Sequence, residues 1–210
     1  MRRARQELHE CHAGASVLRA PIGLVIPCFM TLFCVSAASE TWADSAFSSV
    51  LELQGFAFGV SATNGGSINQ LTIIPQGLTG QSEPVVVEID GTVSGAEIDD
   101  LDGNGFPEIY IYVTSAGSGS YGSLVGYAVN QGQSLSEIYL PPVADDPEHS
   151  IGYMGHDAFA VVEGTFVQSF PIYLQTDSNA QPSGKTRQLQ YKLAPGEAGW
   201  RLDLDRVVEY

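Results

Sequence analysis

From Phe56 to the C-terminus apolar side chains recur at every second position, and turn-forming residues interrupt the pattern about every ten residues. A period of two places alternate side chains on opposite faces of a strand, whereas an amphipathic helix repeats near 3.6. The pattern predicts strands over Phe56–Thr63 and Ser67–Ile74, flanking Asn64-Gly65-Gly66, where Asn and Gly supply the positive φ of a tight hairpin. Glu108–Ser115 follows, with Ile109, Ile111 and Val113 on one face and Tyr110 and Tyr112 on the other. Its partner run Tyr121–Val129 ends at Asn130-Gln131-Gly132, and Leu135–Leu140 stops at Pro141-Pro142. Ala158–Val162 and Thr165–Leu174 meet at Glu163-Gly164. Gln188–Leu193 turns Leu189, Tyr191 and Leu193 inward. After Pro195-Gly196, Trp200, Leu202 and Leu204 alternate with Arg201, Asp203 and Asp205. Short helical turns are expected only at Asp44–Leu51 and Asp145–Ser150, each with an acidic residue near its start. The fold class is therefore all-β, an antiparallel sandwich or flattened barrel of about eight to ten strands joined mostly by hairpins. No repeat or linker divides it.

The N-terminal stretch obeys a different rule. Ile22–Ala38 is almost wholly apolar and uncharged, follows Arg19, and leads into small residues ending Thr41-Trp42-Ala43, the layout of a secretory signal peptide. A transmembrane anchor fits less well, because the apolar core is short, contains Pro27 and lacks a basic stop-transfer flank. Cleavage is expected after Ala43, with Ala38 the second choice, and lipidation is disfavoured by Phe33 before Cys34 and Pro27 before Cys28. The preceding residues are longer than an n-region needs and include Glu7 and Glu10, so translation is expected to begin near Val17 or Leu18 rather than at Met1. Residues 1–43 are thus read as signal peptide and 44–210 as a single exported, periplasmic domain.

Composition sharpens this division. The chain of 210 residues carries 24 acidic and 9 basic side chains, a formal charge of −15, and all three cysteines (Cys11, Cys28, Cys34) precede position 35. Residues 44–210 hold 21 acidic side chains against five basic ones, a charge of −16, and no cysteine. Such a domain lacks the cations that neutralise phosphates, which argues against nucleic acid and, after cleavage, against membrane surfaces as partners. It also excludes thiol catalysis and cysteine-ligated metals. Its length is sufficient for a hydrophobic core without disulfides.

Three segments carry candidate chemistry. Thr114–Gly122 (TSAGSGSYG) lies between two strongly patterned strands and is longer than a hairpin turn requires. Read blandly it is a solvated connection; read functionally, its tyrosine is a rigid amphipathic anchor among adaptable hydroxyls. Ser118 and Ser120 lack the flanking glycines of a nucleophile elbow, and Gly155-His156-Asp157 alone is a weak triad signal, so no catalysis is assigned. Asp100-Leu101-Asp102-Gly103-Asn104-Gly105-Phe106-Pro107-Glu108 places oxygen side chains at positions 1, 3, 5 and 9, with glycine at 6. Ile111 stands where an EF-hand has its twelfth-position Glu, which leaves a calcium loop and an acidic, glycine-kinked turn both open. The remaining acids, including Glu83, Glu88, Asp90, Glu97 and Asp145, read as a solvated surface. No cofactor is assigned, and a paired-carboxylate glycosidase cannot be read from sequence spacing.

Several long strings, GTVSGAEIDDLDGNGFPEIYIYVTSAGSGSYGSLVGYAVN, SLSEIYLPP, GYMGHDAFAVVEGTFVQSFPIY and GKTRQLQYKL, resemble the bacterial periplasmic inhibitors of invertebrate-type lysozyme. The resemblance covers nearly all of the domain from about Phe56. It implies an exported antiparallel β fold, no catalysis, and a loop that enters the cleft of a host lysozyme and blocks its carboxylates. The family's Ser-Gly-x-x-Tyr-like signature, in a shortened form, falls on Ser118, Gly119, Ser120 and Tyr121, with the binding roles on Ser118 and Tyr121. Inhibitors of chicken-type lysozyme have a lysine in the corresponding loop, and this loop has none. The resemblance also leans towards a homodimer through paired edge strands, although one chain carries no readable interface. The alternative is a calcium-stabilised exported β module that binds carbohydrate or a cell-surface partner through Asp100–Glu108 and exposed tyrosines.

Overall fold

The computed structural model describes residues 47–210, so the expected signal peptide and both cleavage sites lie outside the described residues. Twelve strands follow one another: β1 (Phe47–Leu53), β2 (Phe56–Ala62), β3 (Ile68–Gln76), β4 (Val85–Asp90), β5 (Thr92–Asp99), β6 (Glu108–Thr114), β7 (Gly122–Asn130), β8 (Ser134–Tyr139), β9 (Ala158–Val162), β10 (Thr165–Pro171), β11 (Thr186–Pro195) and β12 (Trp200–Glu209). The first four form one antiparallel sheet in sequence order, and the other eight form a second in the order β5-β6-β7-β8-β12-β11-β10-β9. All of these lie within the unit Thr41–Tyr210.

The all-β expectation holds, but with twelve strands rather than about eight to ten and with further corrections of detail. The helical turn expected at Asp44–Leu51 is instead strand β1 from Phe47 onward. Its half-buried Phe47, Ser49, Leu51 and Leu53 alternate with exposed Ser48, Val50 and Glu52, a period of two that pairs with β2 along its whole length. At Asp145–Ser150 the expected turn is a single one: after a 3₁₀ turn at Val143–Asp145 the Ser150 amide donates to the Asp146 carbonyl at 2.9 Å, and the Asp146 carboxylate accepts from the Glu148 and His149 amides. Strands β4 and β5, joined by Gly91 alone, escape the sequence pattern. Three consecutive valines conceal the alternation of β4, and a bulge between Val93 and Gly95 shifts that of β5. Not every neighbour is a hairpin partner, because β8 and β12 run parallel through Ile138↔Trp200 and Tyr139↔Arg201.

Strand β6 explains the architecture. Its first six residues are buried, a pattern available only to a strand covered on both faces. Ile109, Ile111 and Val113 join a core with Phe58, Val60, Leu71, Ile73 and Ile89 of the smaller sheet. Tyr110 and Tyr112 point the other way, into a second core with Phe166, Phe170, Leu189, Tyr191 and Leu202. The eight-stranded sheet curls round this second core until its edge strands approach each other, a nearly closed barrel. The Glu97 carboxylate of β5 bridges the remaining gap: it accepts from the Val161 amide of β9 at 2.7 Å and from the Tyr112 hydroxyl.

The smaller sheet is tied on through polar groups as well. Buried Asn69 accepts from the Gly65 amide at 2.8 Å and donates to the Gly91 carbonyl at 2.7 Å. Asn64, rather than either following glycine, takes the positive φ of that hairpin, at 47°, and its amide pairs with both backbone groups of Val93.

Candidate functional site

Thr114 and Gly122 are the last paired residues of β6 and β7, so residues 115–121 project from the end of the eight-stranded sheet. The Ser115 amide donates to the Tyr121 carbonyl at 2.8 Å and closes the loop's base. Within it the Ser120 amide reaches the Gly117 carbonyl at 3.2 Å, and Ser120 has a φ of 44°. Ser118 and Tyr121 are exposed, Tyr121 at 48 % despite its bulk, while Gly119 and Ser120 are half-buried. All four residues picked out by the sequence thus fall on one loop, which presents a hydroxyl and an aromatic ring outward.

The loop rests on segments distant in sequence. The His156 amide donates to the carbonyls of Gly119 at 2.8 Å and Ser120 at 3.2 Å. The Asn179 side chain donates to the Ser118 carbonyl at 2.5 Å. Tyr153 meets the Tyr121 ring edge-on at 5.6 Å between centroids and packs in turn on Phe170 at 4.6 Å, so the exposed ring is wedged against the barrel core. Beside Tyr121 a groove of about 400 Å³ is lined by Leu140, Pro141, Pro142, Tyr153 and Gln168. Met154, next to Tyr153, and Leu174, next to the Tyr173 whose ring stacks on His156, are exposed too.

Asp157 is the centre of the support. One of its oxygens accepts from the Gly122 amide and the Tyr153 hydroxyl, both at 2.7 Å, and the other from the Gln168 amide at 2.7 Å. Gln168 is itself buried and accepts from the Tyr191 hydroxyl at 3.2 Å. Burial pushes the Asp157 carboxyl above its ordinary value and outweighs the hydrogen bonds from Gly122, Tyr153, Gln168 and its own backbone amide, which favour the charged form. With its oxygens committed to these donors, Asp157 does not orient His156, whose ring instead stacks on Tyr173 at 6.1 Å. The His156 amide and the Asp157 carboxylate thus both buttress the base of the loop. The sequence gives no hint of Asn179, Tyr153 or Gln168 as supports. Gln168 is one polar residue within β10, while Tyr153 and Asn179 lie in connections, placements that many unrelated positions share.

The second candidate, Asp100–Glu108, spans the connection from β5 to β6, at the opposite end of β6 from the 115–121 loop. Asp100, Asp102 and Asn104 cap the turn's own backbone: Asp100 accepts from the Asn104 and Gly105 amides at 3.0 and 2.9 Å, and Asn104 from the Phe106 amide at 2.7 Å. Gln54, in the β1–β2 turn, donates to Asp100 at 2.6 Å. Burial is the largest single influence on Asp100 and opposes its ionisation, but the hydrogen bonds from Gln54, Gly105, Asn104 and Gly103 together hold its carboxyl below the ordinary value. Glu108 differs. It is wholly buried; one oxygen accepts from the Leu101 amide at 2.8 Å and the other has no hydrogen-bond partner. Burial, reinforced by the charges of Asp102, Asp100 and Asp99, pushes its carboxyl up to about 8.

No family model, no curated protein and no solved structure matches this chain.

Proposed function

We propose that the protein is an exported, periplasmic inhibitor of invertebrate-type lysozyme that inserts the Ser118-Gly119-Ser120-Tyr121 loop into the enzyme's cleft. The observation that carries this reading is the bracing of the loop. Its carbonyls at Ser118, Gly119 and Ser120 are held by Asn179 and the His156 amide, while Ser118 and Tyr121 face outward. A loop held in this way gives up little conformational freedom on binding, which is how inhibitory loops reach high affinity through a small contact. Lysozymes cleave the glycosidic bond between a carboxylic acid and a carboxylate. A hydroxyl entering that cleft donates a charge-assisted hydrogen bond to the carboxylate and displaces substrate, while the tyrosine ring fills a sugar-sized recess.

The test is inhibition of invertebrate-type lysozyme on peptidoglycan, run beside chicken- and goose-type enzymes. Tyr121→Ala is expected to weaken inhibition by about 2 kcal/mol or more, and Ser118→Ala by roughly 1 to 3 kcal/mol, each in a variant still folded at the assay temperature. Wild-type inhibition in both variants would refute the loop assignment. Suppression of lysis only at concentrations that saturate the peptidoglycan would favour a glycan-binding module instead.

A further inference from the structure

The turn at the far end of β6 supports an inference that is independent of any lysozyme. Glu108 has no solvent exposure and one oxygen without a hydrogen-bond partner, an arrangement native interiors rarely tolerate for a carboxyl group. It also faces like charges: one oxygen from each of Asp100, Asp102 and Glu108 lies within 4.8 Å of the others. None of the ion pairs among the described residues involves any of the three. A basic side chain does not compensate this cluster, and a bound cation would satisfy the buried oxygen and the mutual repulsion together.

We propose that Asp100, Asp102 and Glu108 hold a calcium ion, with Asn104 supplying a further oxygen from the same turn. The donors are hard oxygens, with neither imidazole nor thiolate among them, which suits calcium or magnesium rather than zinc or copper. Two oxygens bound to opposite sides of one calcium ion, each at 2.3–2.6 Å, stand about 5 Å apart, so a cluster within 4.8 Å fits around a single ion. Magnesium demands a smaller and more rigid octahedron and parts with its water reluctantly, a poorer match to carboxylates on a glycine-containing turn. Part of the site is already set: Leu101 fixes one Glu108 oxygen, and Gln54, Asn104 and Gly105 orient Asp100. Because Gln54 lies in the turn that joins β1 to β2 of the smaller sheet and Glu108 opens β6 of the larger one, an ion here fastens the two sheets at one end.

Calcium titrated into the chelator-stripped protein in a calorimeter should bind saturably, one ion per chain. At about 1 mM, within the range of extracellular calcium modules, it should raise the melting temperature by several degrees over EDTA, with a much smaller rise in equimolar magnesium. Glu108→Gln keeps the shape of the side chain and removes its charge; it should weaken calcium binding at least about tenfold and abolish the thermal shift. Should that variant fail to fold, Asp102→Asn, on the exposed part of the turn, is expected to weaken binding in the same direction. An absence of saturable binding, an equal response to magnesium, or an undiminished calcium response in the folded variant would each overturn the site.

Discussion

Gly155 has a φ of 85°, and a Cβ placed on it would fall inside van der Waals contact of the Gly119 carbonyl oxygen. The closest approach between the candidate inhibitory loop and its support therefore depends on the absence of one carbon atom. Gly155→Ala should cost about 1 to 3 kcal/mol in urea denaturation and also weaken lysozyme inhibition, because the loop must move away. Gly164→Ala is the matched control: its φ is 70°, but a Cβ there meets nothing within 4 Å. It should lower stability and leave inhibition intact; equal loss of inhibition in both variants would show that the contact with Gly119 is immaterial. Asp157 gives a prediction in pH. Its carboxyl is raised above 3.8 in the folded protein, so its contribution to stability is full below that value and is lost as pH rises through the folded value. Asp157→Asn removes this titration and should flatten the decline in stability above about pH 4. Asp157→Ala leaves the Gly122, Tyr153 and Gln168 donors without their acceptor and should cost about 1 to 3 kcal/mol at any pH. A pH–stability curve for the Asn variant that parallels the parent's would remove Asp157 as its source.

Among the elements, the seam between β5 and β9 is the most exposed to a single substitution. The Val161 amide donates to a side-chain carboxylate where in an interior strand it would donate to a backbone carbonyl. Glu97→Ala should raise hydrogen exchange at Val161 and destabilise the fold by about 1 to 2 kcal/mol, while exchange in β6 stays slow. Unchanged exchange at Val161 would show that the bridge does not close the barrel. Glu97 also marks where sequence reading reaches its limit. Taken alone it is one more acid in an acidic chain, and only the curl of the sheet, set by tertiary packing, brings it to β9. The strands with clean alternation, such as β6 and β12, were legible because one chain period decided their faces. Strand β1 was obscured by the acid at Asp44, which mimics a helix start, and β4 by consecutive valines that look alike on both faces. The 115–121 loop stood out by its length and glycine content, yet its supports at Asn179 and His156 come from segments far along the chain, and no local pattern encodes that meeting.

For the whole molecule, charge and connectivity set the behaviour. With a formal charge of −15, the chain should attract a basic enzyme over distances comparable with the Debye length. The association rate with lysozyme should fall steeply with added salt while the dissociation rate changes little, as read by stopped-flow or surface binding at several ionic strengths. A salt-insensitive association rate would remove steering from the account. Connectivity has a separate consequence. The barrel is two meanders, β5–β8 and β9–β12; among the described residues their strands pair through the backbone where Ile138 and Tyr139 meet Trp200 and Arg201, and Glu97 bridges the other seam through its side chain. In kinetic terms, each meander gathers its pairings from neighbours along the chain, whereas the parallel join must close a loop of more than half a hundred residues before it gains anything. The tyrosine-lined core inside the barrel is completed by that distant meeting, so the joining of the two halves is expected to be the slow step of folding.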